Sequence, residues 1–192
     1  MNLLIPRIRL ALLPAMLCYA ALGAVFGGLY GIIHDQVTYS ISPEYFTRLK
    51  FGQFSYADFG FPPRILVGEI GFLATWWVGF FAAWFLARTA IADLSPEAAR
   101  RLMFRGFAIV FTSAFAAALL GAVLGKHRVA NPDLSPWDAF QTELGIIDLP
   151  AFVRVAYIHN AGYLGGLIGL IAAICYVWRV KAKLRESPTG AS

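Results

Sequence analysis

Three histidines and a few carboxylates are the side chains of this 192-residue sequence that are best suited to metal binding or catalysis. His34 and His127 fall at the ends of the first and third long apolar stretches, and Glu69 and His159 fall near the starts of the second and fourth. Imidazole nitrogens combined with a carboxylate oxygen are a ligand set for zinc, copper, iron or nickel. An ionisable group inside an apolar span is costly unless it is paired, so each of these residues is a candidate functional residue.

The positions of these side chains predict that they lie at one depth, on four different helices. The predicted metal ligands are three histidines, one acid in the second apolar stretch and one acid in the loop between the first two stretches: His34, Glu69, His127, His159 and Glu44. Asp35 is predicted to be an accessory ligand. Two histidines from different helices, His34 and His159, are alternatively the axial ligands of a haem.

Interpretations of the same residues that require no metal stay open. Histidine suits a membrane interface, where its polar tip meets water, and Glu69 is able to pair with Arg64 or to reach outward. Buried hydrogen bonding or proton transfer requires no metal at all. No pair of these residues has HxxxH or ExxH spacing. The sequence therefore leaves open whether the chain is an enzyme.

The elements that must position these residues are long apolar helices. The chain is 59% hydrophobic and 14% charged, with a mean hydropathy of +0.65, whereas soluble domains average about 25% charged residues. Four stretches approach the roughly 20 residues that a membrane-spanning helix needs: about 10–33, 65–87, 102–125 and 155–178. Continuous hydrophobicity without period-two alternation favours helices. We predict an all-α integral membrane four-helix bundle that forms a single domain over residues 1–192.

Lysine and arginine predict the orientation of these helices. They are concentrated at the N-terminus, in the short loop between the second and third spans, and in the C-terminal tail: Arg7, Arg9, Arg88, Arg100, Arg101, Arg105, Arg179, Lys181, Lys183 and Arg185. Both termini are therefore predicted to be cytoplasmic, in a bacterial inner membrane. The net charge of +5 suits anionic lipid headgroups. The expected partner is thus the lipid bilayer and not nucleic acid.

Two helices are predicted on the outer face, the side opposite the cytoplasm. One lies in the first loop, between the first and second spans, and the other lies in the second loop, between the third and fourth spans. Ser42-Pro43-Glu44 combines a hydroxyl N-cap, a proline at the first position and an acid in the first turn. This predicts an interfacial helix over about residues 43–53, and Ser135-Pro136 predicts a second one, ending near Leu144. Ser95-Pro96 starts the third span in the same way. The aromatic residues of the first loop suit either membrane anchoring or a lid over a site.

The two halves of the chain, residues 1–92 and 93–185, carry a weak internal similarity. The pattern Gly-x5-His-x7-Ser-Pro occurs twice, beginning at Gly28 and at Gly121. Each half then comprises a spanning helix, a surface helix and a returning helix. Because both halves begin in the cytoplasm, the repeat is predicted to be parallel, with a two-fold axis along the membrane normal.

Small residues predict which helix faces lie inside the bundle. Gly27, Gly31 and His34 share a face with Gly23, and overlapping GxxxG spacings permit close helix packing. Three functions follow from these features. The first is a metal or haem site that does redox chemistry on a lipid-soluble substrate. The second is an accessory or scaffold subunit whose glycine faces bind partner helices. The third is a transporter of small solutes or ions that works as a homo-oligomer.

Two segments, HDQVTYSISPEYF and YIHNAGYLGG, resemble segments of uncharacterised bacterial multi-span inner-membrane proteins. The resemblance covers only these two stretches of the chain. It implies no activity and no cofactor, so the functional hypotheses rest on the residues themselves.

Overall fold

A computed structural model describes residues 9–92, 94–130 and 133–186, except for the side chains of Arg185 and Glu186. Its helices are α1 (Leu13–Ile41), a π-helical segment (Tyr45–Lys50), α2 (Phe51–Gln53), α3 (Pro63–Ala90), α4 (Pro96–Ala130), α5 (Asp138–Leu144) and α6 (Leu149–Glu186). The described part of the chain contains no strand, so the all-α prediction is confirmed. Arg7 and the Arg185 side chain, which the orientation prediction uses, lie outside the described residues.

Four helices, α1, α3, α4 and α6, are long and apolar enough to cross a membrane, which indicates a multi-pass membrane protein. Each is longer than its predicted span. The first was expected to end near residue 33, yet α1 continues to Ile41 and is about 43 Å long at 1.5 Å per residue. This exceeds the roughly 30 Å of bilayer hydrocarbon. An apolar run predicts only the part of a helix that lies in lipid. The helix itself continues beyond this run, because polar residues such as Thr38 find hydrogen-bond partners there.

Two of the three predicted helix starts carry a serine cap, at Ser42 and Ser95, whereas Ser135 lies within the first turn of its helix and its hydroxyl donates to Asp133 Oδ1 over 2.6 Å. Ser95 Oγ accepts a hydrogen bond of 3.3 Å from the Ala98 N–H. Ser42 Oγ accepts one of 3.4 Å from the Tyr45 N–H at the start of the first loop helix. The second loop turns into a helix over residues 135–144, as expected. The placement of these loop helices on a membrane surface stays a prediction.

The bundle is built from two helical pairs, α1 with α3 and α4 with α6. Thr75 Oγ1 of α3 lies 2.8 Å from the carbonyl oxygen of Gly27 on α1. Ser113 Oγ of α4 donates a 2.8 Å hydrogen bond to the carbonyl oxygen of Gly165 on α6. The glycines thus bring the backbones close, and the predicted inward GxxxG face of α1 is confirmed. Each half of the chain forms its own pair, as a repeat requires; the repeat itself stays a prediction.

Two apolar clusters join the pairs, one at each end of the bundle. At the end where α1 begins and α6 ends the core includes Met16, Leu86, Met103, Phe107 and Val177. At the opposite end, called here the outer end, the core includes Tyr45, Phe46, Val67, Phe152 and Val153. The first outer loop therefore contributes to the core and covers the outer end of α6.

Candidate metal centre

Three potential metal ligands converge at the outer end, from helices of different pairs. His34 and Asp35 come from α1, and His159 comes from α6. One ligand atom from each side chain lies within 4.8 Å of the other two. His159 Nε2 is 3.8 Å from Asp35 Oδ1, and both residues are only 3% exposed. The rings of His34 and His159 meet edge to face, with their centroids 4.6 Å apart.

Gly162 of α6 lies beside this contact. A Cβ atom on Gly162 would lie 3.9 Å from His34 Cε1 and 3.9 Å from the Tyr30 hydroxyl, which is ordinary van der Waals contact. His159 and Gly162 thus share the face of α6 that lies against His34.

Thr38 fixes the orientation of the His159 ring. Its hydroxyl lies 3.1 Å from His159 Nε2, and also 3.0 Å from the His34 carbonyl and 3.3 Å from the Asp35 carbonyl. A hydroxyl has one proton to donate. When that proton goes to a backbone carbonyl of its own helix, Thr38 Oγ1 accepts from His159 Nε2–H. A metal that takes Nε2 must then displace this hydrogen bond and shift the ring proton.

Aromatic rings enclose the two imidazoles. Tyr45 of the π-helical segment stacks on His159 at 4.8 Å with an interplanar angle of 30°. Phe46 approaches the same ring edge-on at 6.1 Å, and Tyr30 stacks on His34 at 5.6 Å. Burial raises the pKa of the Tyr45 phenol, so the ring next to His159 stays neutral at physiological pH. The first loop thus covers this cluster, whereas its exposed Phe59 suits membrane anchoring.

One buried cation lies near the cluster. Lys50 ends the π-helical segment and is only 8% exposed. Its ammonium lies 5.6 Å from the centroid of the Phe54 ring. Burial lowers the pKa of Lys50, and the negative charge of Asp35 partly offsets this effect. The electrostatic coupling indicates that Lys50 supplies part of the positive charge that a buried Asp35 carboxylate requires.

Asp35 has more acceptor capacity than the protein uses. Among the described residues, no hydrogen-bond donor reaches its buried Oδ2 atom. A buried carboxylate oxygen without a partner is costly, so such an atom marks a place where a ligand would be stabilising. This observation fits a cation between Asp35 and the two imidazoles.

The other predicted ligands lie elsewhere. Glu69 lines a groove beside α1 and does not join the group formed by His34, Asp35 and His159. Glu44 Oε2 accepts hydrogen bonds from the backbone N–H groups of Ile147 and Asp148, over 3.1 and 2.6 Å. Its carboxylate thereby ties the first loop to the segment that leads into α6.

His127 has a different environment from the other two histidines. It is exposed near the outer end of α4, beyond the last close-packed glycine of that helix, Gly125. The groups of potential ligands found among the described residues do not include it. The structure therefore brings together His34 and His159, with the accessory residue Asp35, and not all four predicted residues.

Sequence reasoning missed three parts of the site: Thr38, Tyr45 and Lys50. Thr38 follows His34 by four residues and so shares its helix face, a signal that was available. Tyr45 and Lys50 come from the loop, and their approach to α6 depends on how the loop folds back. No spacing in the sequence encodes that contact.

Comparison with known proteins gives no assignment: no family model matches the chain, and neither the curated proteins nor the solved structures contain a significant match. The function must therefore be argued from the site itself. The side chains of this site belong to α1, α6 and the first loop, so it depends on both helical pairs.

Proposed function

We propose that this chain is a membrane metalloprotein that binds one divalent transition metal ion through His34, Asp35 and His159. The observation that carries the proposal is the convergence of their ligand atoms to within 4.8 Å, from two helices that belong to different pairs. Metal–ligand distances of about 2.0–2.2 Å put tetrahedral ligands about 3.3 Å apart. Small side-chain rotations are sufficient to close the remaining distance.

The geometry favours a single ion over haem. Two axial imidazoles face each other across the iron, with the porphyrin plane between them. The rings of His34 and His159 instead meet edge to face at 4.6 Å. This contact leaves no space for a macrocycle between the two rings, so we propose a metal ion and not haem.

Three protein ligands leave at least one coordination position for water or substrate, which is typical of catalytic and not of structural metal sites. The nitrogen and oxygen donors suit zinc, iron, copper or nickel. Iron or copper would allow redox chemistry on a lipid-soluble substrate. Zinc would supply Lewis-acid chemistry instead. The identity of the bound metal thus decides the reaction class.

The orientation proposed with this function places both termini in the cytoplasm and the metal centre near the outer surface of a bacterial inner membrane. The arginines and lysines of the termini and of the loop before α4 support it. Lys181 belongs to this basic end of the bundle, because its ammonium donates to the carbonyls of Thr89 in the last turn of α3 and of Ala92 just after it, over 3.0 and 2.6 Å.

The two other functions have less support. A scaffold that offers its glycine faces to partner helices conflicts with the contacts of Gly27 and Gly165, since both pack against helices of this chain. A transporter needs a polar path across the bilayer. The hydroxyls of Thr75 and Ser113, polar residues within the apolar helices α3 and α4, are bonded to backbone carbonyls, which leaves them unavailable to line such a path.

A zinc-binding measurement on detergent-purified protein tests the proposal. The protein should be isolated through a tag without histidine and loaded with zinc. We expect about one tightly bound zinc per chain, and affinity at least about tenfold weaker in His159→Ala and Asp35→Asn. His127→Ala is the matched control, because it removes an exposed histidine outside the cluster. Equal zinc binding by all four proteins would refute the assignment.

A further inference from the structure

A second site lies beside α3, away from the metal ligands. A groove of about 330 Å³ opens between α1, α3 and the turn after α2, lined by Ile32, Ala57, Phe59, Phe72, Leu73 and the carboxyl group of Glu69. This volume lies at the lower end of the range of ligand pockets. Its walls are apolar except for one acid, so the groove combines a hydrophobic enclosure with a single polar anchor.

The anchor has no partner of its own. Among the described residues, nothing donates a hydrogen bond to the buried Oε2 atom of Glu69. Arg64 is the nearest cation along the helix, but its guanidinium bonds to the side chains of Gln36 and Ser40, over 3.2 and 3.1 Å. It also stacks on Tyr39, with Cζ 4.8 Å from the ring centroid. The arginine is thus held away from the groove.

The groove lies where two long apolar helices meet the loop that connects them. Ile32 and Phe72 belong to helices that are long and apolar enough to span a membrane, whereas Ala57 and Phe59 belong to the loop between them. Phe59 is 73% exposed. Exposed aromatic side chains next to spanning helices are typical of the lipid headgroup level. This position favours a lipid as the ligand of the groove.

We propose that the groove binds the primary ammonium headgroup of an aminophospholipid. A side-chain rotation that exposes the buried Oε2 atom of Glu69 to the groove lets the carboxylate accept a charge-assisted hydrogen bond from a primary ammonium, which the aromatic rings of Phe59 and Phe72 also attract. A choline headgroup lacks the N–H donor, and an anionic glycerol headgroup would be repelled by the carboxylate. Acyl chains continue along the apolar wall at Leu73. The site shares no residue with the metal centre, so either proposal stands without the other.

Native mass spectrometry of delipidated protein tests this proposal, with phosphatidylethanolamine, phosphatidylcholine and phosphatidylglycerol of identical acyl chains. We expect preferential retention of phosphatidylethanolamine, and roughly tenfold weaker retention in Glu69→Gln. Glu97→Gln is the matched control, since Glu97 is an exposed acid on α4 whose side chain is 70% accessible. Leu73→Trp fills the groove without altering the carboxyl group, and it should also reduce retention.

Three results would overturn the proposal. They are unchanged phosphatidylethanolamine retention in Glu69→Gln, equal retention of all three lipids by the wild type, and equally tight binding of free ethanolamine without a lipid. Zinc content measured on the same samples separates the two sites, because Glu69→Gln is expected to leave the metal centre intact.

Discussion

The hydroxyl of Thr38 is the polar partner closest to the His159 ring, 3.1 Å from Nε2. Both residues are buried in a mainly apolar part of the bundle, so loss of this hydrogen bond would leave a buried polar atom without a partner. A buried donor without an acceptor costs about 1–3 kcal/mol. We therefore assign to Thr38 the role of positioning the imidazole of His159.

Thr38→Val removes this hydroxyl at nearly constant shape, and we expect it to lower the free energy of unfolding by about 1–3 kcal/mol. Chemical denaturation in detergent micelles measures the change. Thr112→Val makes the same replacement at an exposed position on α4, where little change is expected. Equal effects of the two variants would remove Thr38 from its assigned role.

The buried Lys50 predicts a pH dependence of stability. Its pKa is lowered in the folded protein from an ordinary value of 10.5, so the unfolded chain binds more protons between the two values. Stability then rises with pH across this window. We expect the apparent Tm of the wild type to rise relative to that of Lys50→Met as the pH increases from the lowered pKa of Lys50 toward 10.5. A difference in Tm that stays constant with pH would contradict this.

The candidate site is partly readable from the sequence. His34 and His159 were predicted from their depth, since an apolar span fixes how far each residue lies from its end. The same argument failed to bring Glu69 to the cluster, because depth does not specify the direction in which a side chain leaves its helix. Glu44 lies in a loop, where depth and direction both depend on tertiary contacts, and its carboxylate instead accepts the backbone N–H of Asp148.

The helices pair through backbone contacts that leave no space for side chains. A Cβ atom on Gly31 would collide with the Gly71 carbonyl oxygen and with Thr75 Oγ1. Because the first of these atoms is backbone, relief requires the two helices to separate. Close approach of this kind is how membrane helices gain packing energy without a hydrophobic driving force between them.

Gly31→Ala is accordingly expected to destabilise the protein by about 1–3 kcal/mol, the usual cost of overpacking. Thermal unfolding in detergent measures the loss. Gly52→Ala makes the same change in α2, where a new Cβ atom meets nothing within 4 Å. This control should be neutral or slightly more stable, since alanine favours a helix over glycine. A destabilised Gly52→Ala together with an unaffected Gly31→Ala would contradict the packing described.

Helix starts were more predictable than helix ends. A start such as that of α4 depends on local chemistry, in which Ser95 caps a helix that begins at Pro96. The end of α1 depends on a distant partner, since Thr38 reaches His159 of α6. The π-helical form of residues 45–50 also has no local signal, and it accompanies the burial of Tyr45 and Phe46.

At the scale of the whole molecule, four long helices in two pairs bring the start of α1 and the end of α6 to one end of the bundle and the two long loops to the other. The first loop packs over α6 through Tyr45 and Phe46, so the outer end is a closed structure and not a set of free linkers. The four apolar stretches of the sequence predicted the number of spans. The covering of the candidate metal centre by the loop was not predictable, because Tyr45 and His159 are more than one hundred positions apart.

The topology is testable by cysteine labelling. In a background without Cys18 and Cys175, we introduce Ser55→Cys in the first loop or Ala182→Cys near the end of α6, both at exposed positions. A membrane-impermeant maleimide should label the first variant in intact cells, and the second only after permeabilisation. Labelling of both variants in intact cells, or the reverse pattern, would contradict the proposed orientation.

X-ray absorption at the zinc edge, on protein loaded with one equivalent of zinc, reports the metal ligands themselves. We expect two imidazole ligands and at least one oxygen ligand at about 2.0–2.2 Å, and loss of the imidazole signal in His34→Ala/His159→Ala. A spectrum with a single imidazole, or one that this double substitution leaves unchanged, would contradict a metal centre at His34, Asp35 and His159.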